Sequence, residues 1–302
     1  MDDFLRTLIS RKWNVKGVTF TFLDLLLAVC ITGTGLALRS TVIAWTPTNA
    51  WKLCAIVLEF ALAILCSAIV HSYTGNRLRA FLTYAILVIY PTVVANGSLW
   101  NINCIYYVIL FFLGLYLYSL GNAVLGTGSI LAGLLIAVFR IRSWWMVLDV
   151  AYPVSLSRGW PNFYEIIGKT VFVELYDKVS LLILAGLLLT GIYWFADKRV
   201  KLTRDLVLRL FLFAAILVPY FAPYMPAWAG YTADVAALLY MMRWPERFYL
   251  PMLHLIVSYS AYACAINGET KLPMVVFSVL LLGMLVNVGV DIYRAAVKGE
   301  TK

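Results

Sequence analysis

Charge is what this 302-residue chain has least of. Asp, Glu, Lys and Arg make up 13% of it, about half the ~25% of an ordinary soluble domain. With 63% hydrophobic residues and a mean hydropathy of +0.88, the chain cannot hide its apolar surface in one globule. The solvent it is built for is a bilayer. Acids are scarcer than bases, 15 against 24, for a net charge of +9. No basic cluster sits on a soluble domain, so the excess argues against nucleic acid as a partner and reads instead as a topology signal. Histidine is almost absent: His71 and His254 lie far apart at predicted helix ends and read as interfacial residues rather than metal ligands. Cys30, Cys54, Cys66, Cys104 and Cys264 form no CxxC pair. Most sit in apolar runs, as small packing groups rather than disulfides or a metal site. There is no low-complexity tract, no obvious internal repeat and no evident cleavable signal: the N-terminus is polar and basic, and the first apolar run is long enough to span.

What is there is a succession of apolar segments. Ten can be drawn, at 18–38, 51–72, 80–96, 103–120, 123–139, 173–195, 206–221, 231–243, 247–266 and 272–292. Each is predicted helical, because lipid leaves only helices and closed barrels with satisfied backbones. Several are shorter than the ~20 residues of a simple span, as expected where helices line a cavity. If all ten cross, sixteen of the 24 cations fall on the side of both termini and eight on the other, which makes the termini cytoplasmic. The expected fold is all-α: a single polytopic transmembrane domain over residues 1–302, of about ten helices, with 140–172 as its main extracytoplasmic segment. That makes it a multi-pass integral membrane protein surrounded by membrane lipids.

Polar residues inside apolar runs are the candidates for function. Asp24, Glu59 and Asp234 each cost about 2.5–3.5 kcal/mol at a helix centre and should face a cavity or a partner. Asp24 reads as structural; Glu59 and Asp234 would border an outward-facing cavity. Asp149, Glu165, Glu174 and Asp177 lie outside the membrane as further possible bases. Phe139-Arg140-Ile-Arg142-Ser-Trp144-Trp145 puts two arginines on the outer face against the positive-inside trend. Guanidinium forks bind a lipid phosphate bidentately; the alternative is an interfacial pair with snorkelling stems. Two outer turns, around Trp100-Asn101-Ile-Asn103 and Trp160-Pro161-Asn162, set aromatic rings beside amides. Such platforms suit sugars, and equally an ordinary aromatic belt.

Four stretches together carry a family likeness. They are Trp51 to Ala68 with Glu59 among leucines, Tyr90-Pro91 through Asn96-Gly-Ser98 to Trp100 and Cys104, Ser155 to Tyr164, and Pro219 to Val235. In content and order they resemble the GT-C superfamily of polyprenyl-phosphate-sugar-dependent glycosyltransferases, particularly bacterial relatives of the GPI mannosyltransferases. The resemblance implies a mannosyltransferase-like enzyme of polysaccharide biosynthesis in a bacterial plasma membrane. A lipid-linked sugar would be used on the extracytoplasmic side. On this reading Arg140 and Arg142 hold the donor phosphate, and Trp100, Asn103, Trp160, Asn162 and Tyr231 line the sugar site. Glu59, Asp149 or Asp234 would serve as base. No cofactor follows from the sequence, and a divalent metal stays open.

The departures from the family pattern are as specific. Pro226-Ala227-Trp228 stands where the family has His-Glu-Arg, Cys104 where it has an Asp, and the 39–50 link carries no acid. Without a base, acceptor activation loses roughly 10²–10⁴-fold. Two further readings therefore stand beside the enzyme. One is a non-catalytic GT-C-like subunit that binds a lipid-linked glycan or a partner transferase. The other is a small transporter or flippase.

Overall fold

The computed structural model describes residues 12–15, 18–43, 50–99, 104–147, 156–168, 173–268 and 272–298. The first elements are strands β1 (Lys12–Val15) and β2 (Val18–Thr21), an antiparallel hairpin in which Lys12 faces Thr21 and Val15 faces Val18. Helix α1 (Phe22–Ile43) follows, starting four residues later than the apolar pattern predicts. Thr21 and Asp24 explain the boundary. The Thr21 N–H donates to Asp24 Oδ2 at 2.7 Å, and the Asp24 N–H donates back to Thr21 Oγ1 at 3.3 Å. That reciprocal cap satisfies two orphan donors at the helix start. Asp24 also pairs with Arg77, so its role is structural, as the sequence suggests.

The remaining elements are α2 (Ala50–Thr74), α3 (Arg77–Ile89), the short α4 (Pro91–Val94), α5 (Ile105–Ser119) and α6 (Ala123–Val147). After them come α7 (Tyr164–Ile167), α8 (Val173–Asp197), α9 (Arg204–Phe221), α10 (Tyr231–Arg243), α11 (Tyr249–Asn267) and α12 (Met274–Lys298). Each predicted apolar segment falls on one of the longer helices except 80–96, which breaks at Tyr90 between α3 and α4. The fold of the described residues is all-α but for the hairpin. Among the described residues, five helical stretches are long and apolar enough to cross a membrane: Phe22–Val42, Ala50–Thr74, Lys178–Asp197, Pro245–Asn267 and Met274–Val297. Arg77–Ile89 and Pro91–Leu99 make a sixth if the 45° bend between them lies within one span. The bend has a local cause: Tyr90 is extended ahead of Pro91, the geometry proline imposes on its predecessor.

Helix α10 is the core. At thirteen residues it is about 20 Å long, shorter than the ~30 Å hydrocarbon layer, and ten of its residues are buried. It packs against α2, α3, α9 and α11. Enclosure by protein is what lets so short a helix sit among spans. Leucine, isoleucine and valine cover the outer surfaces of α1 and α8, which face away from the bundle.

Helices α5 and α6 meet along a seam lined by glycines. A Cβ on Gly114 would come within 2.8 Å of the Gly126 carbonyl, and one on Gly133 within 2.8 Å of the Phe111 ring. Small residues of this kind let helix backbones meet in lipid. Gly114→Val should therefore cost about 1–3 kcal/mol of stability through overpacking. Gly128→Val, where a Cβ meets nothing within 4 Å, should be near neutral. Thermal unfolding of both variants in detergent, followed by circular dichroism, reads the difference.

Candidate functional site

The four stretches that carry the resemblance meet at one end of the bundle. Glu59, on α2, lies against Gly97. Gly97 belongs to a π-helical turn, Ala95–Leu99, a distortion that recurs at functional sites. The Tyr231 hydroxyl, at the start of α10, is within electrostatic reach of Glu59, Tyr262 and Cys104. The Trp160 ring fills the space over Gly230, where any Cβ would collide with it. Trp160 also lies 5.8 Å, centroid to centroid, from the ring of His254.

The loop that carries Trp160 is docked by its backbone. Trp160 N–H donates to Met225 O at 3.3 Å, Tyr224 N–H to Leu156 O at 2.7 Å, and Phe163 N–H to Tyr220 O at 2.9 Å. Tyr224 sits in the left-handed region at φ 56°, a conformation that costs a non-glycine residue energy and is held by that cross-link. Gly159 at φ 93° brings the loop against Ala227, 3.6 Å from where its own Cβ would be. Asn162 completes the dock. Its amide donates to Leu156 O and Ala222 O at 3.2 and 3.3 Å, and its Oδ1 accepts from Tyr164 N–H at 3.1 Å. Its side-chain amide is spent on this dock, and its carbonyl accepts from Ser278 Oγ on α12 at 2.7 Å.

Two clusters of ionisable side chains lie within. Arg39, at the end of α1, donates through Nε to Glu59 Oε2 at 3.1 Å, with Nη2 at the same distance from that oxygen. Its Nη1 donates to Val88 O at 2.7 Å and to Gly35 O at 3.2 Å. One guanidinium thus ties α1, α2 and α3, and both partners are buried. Glu59 is an ion-pair member rather than a lone carboxylate. The second cluster is Asp234, His254 and Ser258, all fully buried. Asp234 Oδ1 lies 2.7 Å from His254 Nδ1 and accepts from Ser258 Oγ at 3.0 Å. An ionised carboxylate only accepts, so Nδ1 is the ring nitrogen that faces Asp234 as a donor. His254 Nε2, Asp234 Oδ2, Glu59 Oε1, Tyr90 OH, Tyr231 OH and Trp160 Nε1 are buried with no partner among the described residues. Their accumulation in one region is what sets it apart from the apolar bundle around it.

Of the residues singled out from sequence, Glu59, Asp234, Trp160 and Tyr231 come together here, with Asn162 just behind. Trp100, Asn103 and Asp149 lie outside the described residues. Arg140 and Arg142 belong to the last turns of α6, and their side chains lie outside the description, as do those of Glu174 and Asp177. Glu165 sits on α7. Asn96, in the Asn-Gly-Ser triplet, is buried and donates to Thr92 O at 2.8 Å and to Tyr262, so it is no glycan acceptor in this fold.

His254 is the residue that sequence reasoning passed over. It is not interfacial but fully buried. The available signal was spacing: His254, Ser258 and Tyr262 recur every four residues, a polar stripe on one face of an apolar helix. Arg39, assigned from sequence to an outer loop, is inside the bundle. Among the described residues no group of three or more His, Cys, Asp or Glu could hold a metal ion. No family model, curated protein or solved structure matches this chain.

The Arg39–Glu59 pair makes a sharp prediction. Glu59→Ala alone strands a buried guanidinium and should cost about 3–5 kcal/mol. Replacing both partners by apolar residues of similar size, Arg39→Met with Glu59→Leu, should cost less than either single change. A double-mutant cycle on thermal unfolding in detergent measures it.

Proposed function

We propose that the chain is a GT-C-type membrane glycosyltransferase, mannosyltransferase-like, that uses a polyprenyl-phosphate-linked sugar. The reading includes ten crossings, both termini in the cytoplasm and a site on the extracytoplasmic face of a bacterial plasma membrane. One observation carries it. Four segments that resemble the family, from Trp51 to Val235, come together in one buried region, and that region holds a carboxylate beside an imidazole.

The chemistry assigned to the cluster is proton removal. The acceptor hydroxyl attacks C1 of the sugar and its proton goes to His254 Nε2. Asp234 fixes the tautomer and offsets the charge that forms on the ring. The C1–O bond to phosphate breaks and polyprenyl phosphate leaves, its charge met by Arg140 and Arg142. Trp160 and Tyr231 border the reacting sugar. Asp234 is favoured over Glu59 as the acid of this pair because Arg39 already neutralises Glu59.

That same neutralisation favours a second reading, a GT-C-like subunit that binds a lipid-linked glycan without turnover. Purified full-length protein with radiolabelled polyprenyl-phosphate mannose separates the two. If the first is right, label is transferred or released. His254→Gln and Asp234→Asn then lower turnover by about 10²–10⁴-fold, while donor still raises the unfolding temperature. Arg140→Ala and Arg142→Ala weaken donor binding. Stabilisation by donor with no turnover in the wild type identifies the binding subunit. Neither stabilisation nor turnover overturns both.

A further inference from the structure

The opposite end of the bundle carries its own arrangement of charge. Most cations there are engaged. Arg77 pairs with Asp24, Arg243 forms a two-point bridge to Asp205 at 2.8 and 2.9 Å, and Arg247 reaches Asp291. Arg79 donates to Met242 O at 3.1 Å and Arg209 to Asp291 O at 3.0 Å. A different set stands out into solvent. Lys198, Arg199, Lys201 and Arg204 fall within seven residues on the turn from α8 to α9, and Arg294 projects from the last turns of α12; all five are exposed. Of these, only Lys198 has an ion pair among the described residues, with its neighbour Asp197 at 3.2 Å.

The two elements adjoin. The Trp194 ring on α8 lies 6.0 Å from that of Tyr293 on α12, and Tyr73 donates its hydroxyl to Arg204 O at 3.2 Å. Directly inward of the cations are aromatic side chains at the surface: Tyr193 is 72% exposed and Tyr293 56%. Beyond them α8 presents an apolar exterior from Leu181 to Ile192, with Thr190 its one exposed polar side chain, within a stretch long enough to cross a membrane. Apolar exterior, then tyrosine and tryptophan, then arginine and lysine is the order in which a bilayer presents hydrocarbon, glycerol and phosphate. The acids exposed nearby, Asp197 and Glu246, are fewer than the cations.

We propose that the α8–α9 turn and the end of α12 form a binding surface for anionic phospholipid headgroups. The lipid phosphates sit among Arg199, Lys201, Arg204 and Arg294, and the acyl chains lie along α8. The charge on the turn then does more than orient the chain: it selects the lipids that coat this edge. The surface is independent of the glycosyltransferase reading, which concerns the other end.

Native mass spectrometry of the full-length protein, equilibrated with mixed phosphatidylglycerol and phosphatidylcholine micelles, tests it by counting retained lipids. The wild type should retain phosphatidylglycerol preferentially, and the preference should fall as salt rises. Each of Arg199→Gln, Lys201→Gln, Arg204→Gln and Arg294→Gln should lower it, by about fivefold per charge removed. Arg158→Gln, an exposed cation on the loop at the other end, should leave it unchanged. Inorganic phosphate or glycerophosphate at the same concentration should not compete, since neither has acyl chains to lay along α8. If they displace lipid fully, the site is a free-anion site and the proposal fails. It fails also if the wild type shows no preference, or if Arg158→Gln lowers it as much as the four. Should a combined variant not fold, the single changes and the salt titration still decide.

Discussion

A carboxylate deep in an apolar medium has to be held by other groups, and Asp234 is the carboxylate on which this bundle is organised. It sits on the helix that the rest of the molecule encloses, α10, and its Oδ1 is held by His254 and Ser258 from α11. Leaving a charge there without partners would cost several kcal/mol, so α10 and α11 must keep their register. Trp160 then closes over His254, and the loop from Leu156 to Gly168 is pinned to the turn after α9 through Asn162. Moving Asp234 would ask all three elements to move.

The Arg39–Glu59 pair does the same for α1, α2 and α3. It removes Glu59 from the pool of lone carboxylates and leaves Asp234–His254 as the carboxylate–imidazole pair of the region. The two clusters are linked by aromatic hydroxyls, since Tyr231 lies within reach of Glu59 and Tyr262 within reach of both Glu59 and Asp234. A polar chain of this kind is costly in a membrane protein and marks a place where something other than packing is served.

The two ends of the bundle differ in how they treat charge. One end buries its ionised groups and leaves several polar atoms of one region without described partners. The other pairs three partly buried arginines with Asp24, Asp205 and Asp291 and turns other cations outward. Among the described residues the exposed cations gather at this second end, as the positive-inside pattern in the sequence leads one to expect. Arg158, on the loop at the first end, and Lys178, near the start of α8, are the described exceptions.

Sequence alone determined the solvent and the elements. Apolar content excluded a soluble globule, and lipid permits few backbones besides helices, so each apolar run could be assigned a helix. The order of polar turns also carried the resemblance, because turn residues sit together in the chain. Tertiary structure decided which of those residues act together. His254 and Asp234 are twenty positions apart with no local motif to join them, and Arg39 and Glu59 are twenty apart on different helices. Whether a carboxylate is free or neutralised depends on what another helix brings to it. That choice is made by packing, which periodicity and composition do not encode.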